Sequence, residues 1–144
     1  VLDWLSVTLL GTLVVAAVFG GMVFFAAVFT PLVFTRLPAE IAGAFIRQVF
    51  PVYYLAMTVG CVGAAMLLAF PLVQPVEVAI LAAVAIGFMA ARRLLLPRID
   101  ALRDRTRNGD AAAERRFNLM HRASVVLNTV QLLAVATVLV RLIA

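Results

Sequence analysis

The sequence predicts an all-α integral membrane protein: a four-helix bundle with a cytoplasmic helical hairpin and a short interfacial helix. Three observations carry this. Of the 144 residues, 65% are hydrophobic and only 13% charged, about half the charged share of a soluble domain. Mean hydropathy is +1.12. The length holds four spans of about 20 residues with short loops, so residues 1–144 read as a single four-span membrane domain. The 12 basic residues are all Arg, and nine of them fall between Arg92 and Arg122. An ordinary cytosolic domain and a disordered chain are both excluded.

The first span covers about residues 4–30. Trp4 to Thr30 contains no charged residue and measures about 40 Å as a helix, against a hydrocarbon core of about 30 Å. Pro31 is expected to close it. Trp4 suits an interfacial anchor, and Gly11, Gly20 and Gly21 allow close helix approach. No basic segment followed by a cleavage site is evident, so no signal peptide is expected. Residues 37–49 read LPAEIAGAFIRQV. Pro38 fits a first helical position, and Ile41, Ala44, Phe45 and Val49 share a face away from Glu40 and Arg47. A short amphipathic helix on the membrane surface is the expectation.

The second span covers about 50–73, with Pro51 in its first turn and Pro71 near its end. Ala56, Gly60 and Ala64 make a small-residue face. Gln74 and Pro75 reverse the chain. The third span, about 76–96, has an uncharged stretch too short to cross alone and takes in Arg92 and Arg93, whose stems snorkel. Pro97 then bends or breaks the helix. Asp100/Arg103 and Asp104/Arg107 have i,i+3 spacing for ion pairs. Asn108-Gly109 is a stop signal and Asp110 an N-cap. A last helix runs from about Ala111 to Leu142, with its span at about 123–142.

The arginines set the orientation. Segments 31–47 and 92–122 hold 11 of the 12, and Arg141 is the exception. The positive-inside rule therefore places both segments, including the 92–122 loop, in the cytoplasm and both termini in the periplasm of a bacterial inner membrane. The arginine cluster meets anionic lipid head groups. Nucleic acid is not expected, because no aromatic residues are interleaved to stack bases.

Candidate chemistry concentrates on the last helix. Glu114, Asn118, His121, Ser124, Asn128 and Gln131 fall on one sector at 100° per residue. Such side chains face a bundle interior rather than lipid. They either fix packing through interhelical hydrogen bonds or line a polar pocket. With Tyr53, Tyr54 and Arg92 they make a candidate ligand-binding set: His121, Ser124, Asn128, Gln131, Tyr53, Tyr54 and Arg92. An aromatic belt and snorkelling are the plainer readings of the tyrosines and of Arg92. The ring of His121 is expected to turn into the bundle, shielded by Phe117. His121, Met57, Cys61 and Met120 are the soft donors from which a copper or haem site could be assembled. Core filling is their ordinary role, and no His-x-x-His or Cys-x-x-Cys spacing is present. With one cysteine, no intrachain disulfide can form. Nucleophile sets, phosphate loops and intramembrane carboxylates are not evident, so no catalytic residues are assigned and an enzyme is not expected.

Three stretches carry a family likeness: FGGMVFFAAVFTPLVF (19–34), LPAEIAGAFIRQVFPVYY (37–54) and FNLMHRASVVLNTVQLL (117–133). With the proline-containing third helix at LLLPRIDALR (94–103), they resemble the transmembrane-protein-205-like family, whose bacterial members are grouped as domain of unknown function 4149. Phe117, His121, Ser124 and Asn128 carry the most specific run, followed by Phe50, Pro51, Tyr53 and Tyr54. A more distant likeness is to copper-resistance-D-type membrane proteins. The resemblance implies a small multi-helix membrane protein, with a hint of metal handling and no established activity. Two function classes stay open: a protein that binds or transports a transition metal, haem or small ligand, and an accessory subunit packed in a larger membrane complex. The small-residue faces also point to a homo-oligomer or a membrane protein partner.

Overall fold

The computed structural model describes the backbone of residues 2–70 and 74–144, and side chains from Ser6 onward. The side chain of Trp4 and the whole of Pro71 lie outside the described residues. Helix α1 spans Leu2–Phe24, α2 Thr30–Arg36, α3 Ala39–Ala69, α4 Pro75–Ala90, α5 Leu96–Arg107 and α6 Ala111–Ile143. No strand occurs among the described residues. One π-helical turn, Phe25–Phe29, joins α1 to α2, and another, Ala91–Leu95, joins α4 to α5. The result is four long rods, all apolar and long enough to cross a membrane.

The rods form a closed ring. α3 packs on α1 and on α4, and α6 packs on α1, α4 and α5. Short connections make sequential rods antiparallel, the up-and-down order of a four-helix bundle. Val15, Met22, Cys61, Leu68, Leu81, Phe88, Val135 and Val138 fill the interior. The outer surface is apolar as well: Leu9, Leu13, Val59, Met66, Ile86, Val130 and Leu133 are exposed. A chain with this coat fits a multi-pass membrane protein, because lipid tails rather than water must cover it.

Lipid tails are as apolar as leucine, so burial of apolar area does little to join the rods. Close packing and interhelical hydrogen bonds do that work. Glycine permits the closest approaches. A Cβ at Gly60 would come within 2.5 Å of Val18, and one at Gly11 within 2.8 Å of Leu68. The small-residue face of α3 is thus used at Gly60 inside the chain, against α1.

Two expectations change, Pro31 as a close and 37–49 as a separate helix, and of the two readings at Pro97 the break does not occur. Pro31 does not close the first rod. The π-helical turn before it closes with Thr30 N–H donating to the Phe25 carbonyl, and helix continues to Arg36. Pro97 likewise follows a π-helical turn, in which Leu96 N–H donates to the Ala91 carbonyl, and α5 runs on to Arg107. Each proline stands two residues beyond its π-helical turn. The wider turn gives the pyrrolidine ring room against the carbonyl four residues earlier, the clash that otherwise breaks a helix. Lastly, residues 39–49 are helical, but they are the first turns of α3 rather than a separate surface helix.

At the hairpin the sequence signals hold. Gly109 has φ +86°, a backbone state that a Cβ disfavours. The Asp110 carboxylate accepts from the N–H groups of Ala112 and Ala113 at 3.0 Å, capping α6.

Candidate functional site

At one end of the bundle α2, the start of α3, α5 and the start of α6 converge. Arg47 fixes the meeting of α3 and α5. Its Nε lies 3.2 Å from Asp100 and its Nη2 2.8 Å from Asp104. These two acids, expected to pair with Arg103 and Arg107 along their own helix, instead reach across to Arg47. Arg103 donates to the Gly43 carbonyl at 3.1 Å and lies over the Phe117 ring at 5.5 Å. Arg47 and α5 are therefore the parts of the site that sequence reasoning missed. The i,i+3 charge spacing was visible, but a cross-helix partner 57 residues away leaves no local trace.

Beneath this charged layer lies a pocket of about 90 Å³. Phe34, Ile46, Phe50 and Leu96 give it an apolar lining, and Tyr54, Asp100, His121 and Ser124 supply polar groups. Part of the lining comes from residues just past the two π-helical turns. Thr30 and Phe34 stand just past the first π-helical turn, and Leu96, Ile99 and Asp100 just past the second. Such a turn adds a residue and so re-aims the helix face beyond it. An aromatic cluster sits next to the pocket. Phe25 stacks on Tyr53 with centroids 4.0 Å apart, and Tyr54 meets Phe50 and Phe88.

The polar sector of α6 divides along its length. Toward the bundle centre, Asn128 accepts a hydrogen bond from the Tyr53 hydroxyl at 3.3 Å. Gln131, 4% exposed, donates to the Val84 carbonyl at 3.1 Å. Its amide lies over Gly87, where a Cβ would come within 2.8 Å. Arg92 Nε donates to the Pro51 carbonyl at 3.0 Å. These four candidates, Tyr53, Asn128, Gln131 and Arg92, hold rods together. Glu114 and Asn118 are exposed at the outer end.

Tyr54, His121 and Ser124 come together at the pocket. His121 is not turned fully inward. It stays exposed, with its ring stacked on Phe117 at 6.0 Å, and one side of it borders the pocket. Ser124 Oγ donates to the His121 carbonyl at 2.7 Å. Tyr54 is only 3% exposed, yet its hydroxyl makes no hydrogen bond among the described residues. Among the described residues no fully enclosed side-chain oxygen lacks a partner, so this hydroxyl is not fully enclosed, and Tyr54 borders the pocket.

The soft donors do not gather. Met57 lies in an outer groove beside Val18 and Gly60, Met120 lies beside Arg98 and Leu119 on the outside of the hairpin, and Cys61 is buried in the core. Only His121 borders the pocket. Among the described residues, no group of three or more His, Cys, Asp or Glu is placed to hold a metal ion. The soft donors therefore stand apart rather than gathered as a copper centre.

At the opposite end, Arg141 Nε lies 2.6 Å from the Glu77 carboxylate, and Glu77 is 6% exposed. The sequence showed both residues, but nothing in their spacing joined them.

No curated protein and no solved structure matches the chain. Residues 13–108 match the family described as a domain of unknown function (DUF4149). That stretch contains Arg47, Tyr54, Asp100 and Arg103, and stops short of His121 and Ser124. With well over half its length matched, the chain belongs to the DUF4149 family.

Proposed function

We propose that this membrane protein binds a small molecule in the pocket bordered by Tyr54, His121, Ser124 and Asp100. The observation that supports the reading is the Tyr54 hydroxyl. Its side chain is nearly enclosed while the hydroxyl has no protein partner among the described residues, so the group is available to bond a polar atom of a ligand in the pocket. Small-molecule sites have this make-up of apolar walls with a few polar groups. The arginine distribution supports a cytoplasmic position for this end of the bundle with both termini periplasmic, and on that reading the ligand enters from the cytoplasm or the inner leaflet. The likeness to the transmembrane-protein-205-like family belongs to the same reading, since His121 and Ser124 of its most specific run border the pocket.

Mass spectrometry of small molecules released from purified protein tests the proposal. Wild type carries a stoichiometric species, and Ser124→Phe, which fills the pocket, loses it while unfolding at a similar temperature. The same species at the same level in folded Ser124→Phe rejects the pocket. Wild type released with nothing bound, but recovered from mild detergent within a larger complex, favours the accessory-subunit reading instead.

A further inference from the structure

We propose that the pocket and the larger groove beside it form one site for a phosphate-bearing amphiphile, with the phosphate held by Arg103 and Arg107 and the apolar part lying toward Tyr54. This rests on the ligand-binding reading above and names its ligand class. The groove has a volume of about 440 Å³ and is lined by Arg47, Arg103 and Arg107 together with Glu40 and Gln48. Phe34, Arg47 and Arg103 border both cavities, so the two adjoin across these side chains.

The charges in the groove are unequal in availability. Arg47 is neutralised by Asp100 and Asp104. Arg103 and Arg107 form no ion pair among the described residues. They are four residues apart on α5, hence on one face. Arg103 spends one N–H on Gly43 of the five that a guanidinium carries. Glu40 is the one acid in the groove lining. Arg103 also lies over the Phe117 ring, and both arginines feel Asp104 at longer range. With neither closed by a direct ion pair, the two guanidiniums keep N–H groups free, and their planar fork matches phosphate oxygens in bidentate fashion. The adjoining pocket is lined by Ile46, Phe50, Leu96 and Ile99, which receive an apolar portion. A free phosphate uses only the first half of this arrangement. A lipid uses both halves and is at hand where the rods leave the bilayer.

Calorimetric titration of the full chain in detergent tests this with three probes: dihexanoylphosphatidic acid, dihexanoylphosphatidylcholine and inorganic phosphate. Phosphatidic acid is expected to bind saturably and more tightly than phosphatidylcholine, with inorganic phosphate competing weakly. Arg103→Gln with Arg107→Gln is expected to weaken binding at least tenfold. Arg107→Gln alone, at an exposed position, shows a smaller loss without a folding risk. Arg115→Gln with Arg116→Gln removes the same charge from α6 and leaves affinity within about twofold. Equal losses in the two double variants would mean bulk attraction and overturn the site. Inorganic phosphate binding as tightly as the lipid would overturn the amphiphile. If Ser124→Phe abolishes lipid binding and the α5 variants do not, the phosphate subsite falls and the pocket stands. If the α5 variants abolish it and Ser124→Phe does not, the joined site falls through its pocket half.

Discussion

The two ends of the bundle use charge in opposite ways. At one end Glu77 is enclosed and a single arginine closes over it. At the other, Arg47 spans two acids that remain partly exposed, and cavities lie above and below it. The first arrangement seals, since the carboxylate is surrounded and its one partner completes it. The second props open, since the arginine holds two helices at a fixed separation without filling the space between them. A membrane bundle needs both, because packing alone gives modest association between apolar rods.

Substitutions at the two ends sharpen this contrast. Arg141→Ala is expected to cost most, about 2–3 kcal/mol, because it strands a buried carboxylate. Unfolding by sodium dodecyl sulfate titration measures this, and a loss no larger than that of Arg47→Ala would erase the difference between the ends. Arg47→Ala is expected to cost about 1 kcal/mol, the scale of an exposed pair with hydrogen bonds, while changing ligand retention far more than stability. The two neighbouring tyrosines separate next. Tyr53→Phe loses the bond to Asn128 and costs about 0.5–1 kcal/mol. Tyr54→Phe has no such bond to lose, so its unfolding midpoint stays level with wild type or rises. A larger loss for Tyr54→Phe than for Tyr53→Phe would show that its hydroxyl is already satisfied within the protein.

Asp110→Ala gives the smallest change, confined to the start of α6. The Ala113 N–H, together with Arg105, holds the Asp110 carboxyl below the usual carboxylate range. A folded-state value below the unfolded one, about 3.9, makes the cap effective above that pH and lost as pH falls through the folded value. The difference in unfolding midpoint between wild type and Asp110→Ala should therefore be present at neutral pH and vanish in acid.

Much of the fold was legible because its signals are local. Uncharged stretches mark spans, Asn108-Gly109-Asp110 marks the hairpin, and arginine placement groups the loops. The helix continues past both Pro31 and Pro97 for one reason. Proline signals a stop at Pro31 and a bend or break at Pro97, whereas a single widened turn upstream of each lets the helix continue. Nothing in FAAVF or ARRLL announces that turn. The separate surface helix failed for a related reason. A short amphipathic segment and the first turns of a long rod have the same periodicity, and only the absence of a break between Val49 and Phe50 tells them apart. At the site, the 3.6-residue repeat of α6 put His121, Ser124, Asn128 and Gln131 on one sector. It could not say which would find partners, since Tyr53 and Val84 come from other rods. Met57, Cys61 and Met120 show the complementary limit: residue type suggests a ligand, and only packing decides whether the donors meet.

The paired π-helical turns bear on how this chain can change length. Along each rod the proline and the extra residue are locked in phase. Deleting one residue from 91–95 would return Pro97 to an ordinary α-helical frame, where it costs about 3 kcal/mol. Because the residue removed is the extra one of the widened turn, Ile99, Asp100 and Arg103 would keep close to their present faces, whereas a deletion from 98–102, beyond the turn, would swing the residues after it by about 100°. Losing the proline alone would leave the face beyond it in place, with the widened turn deprived of its steric cause. The membrane half of each rod, upstream of the turn, would register neither change. The widened turns are therefore the places where each of these two rods can gain or lose one residue while the bundle on one side and the cavity end on the other keep their faces.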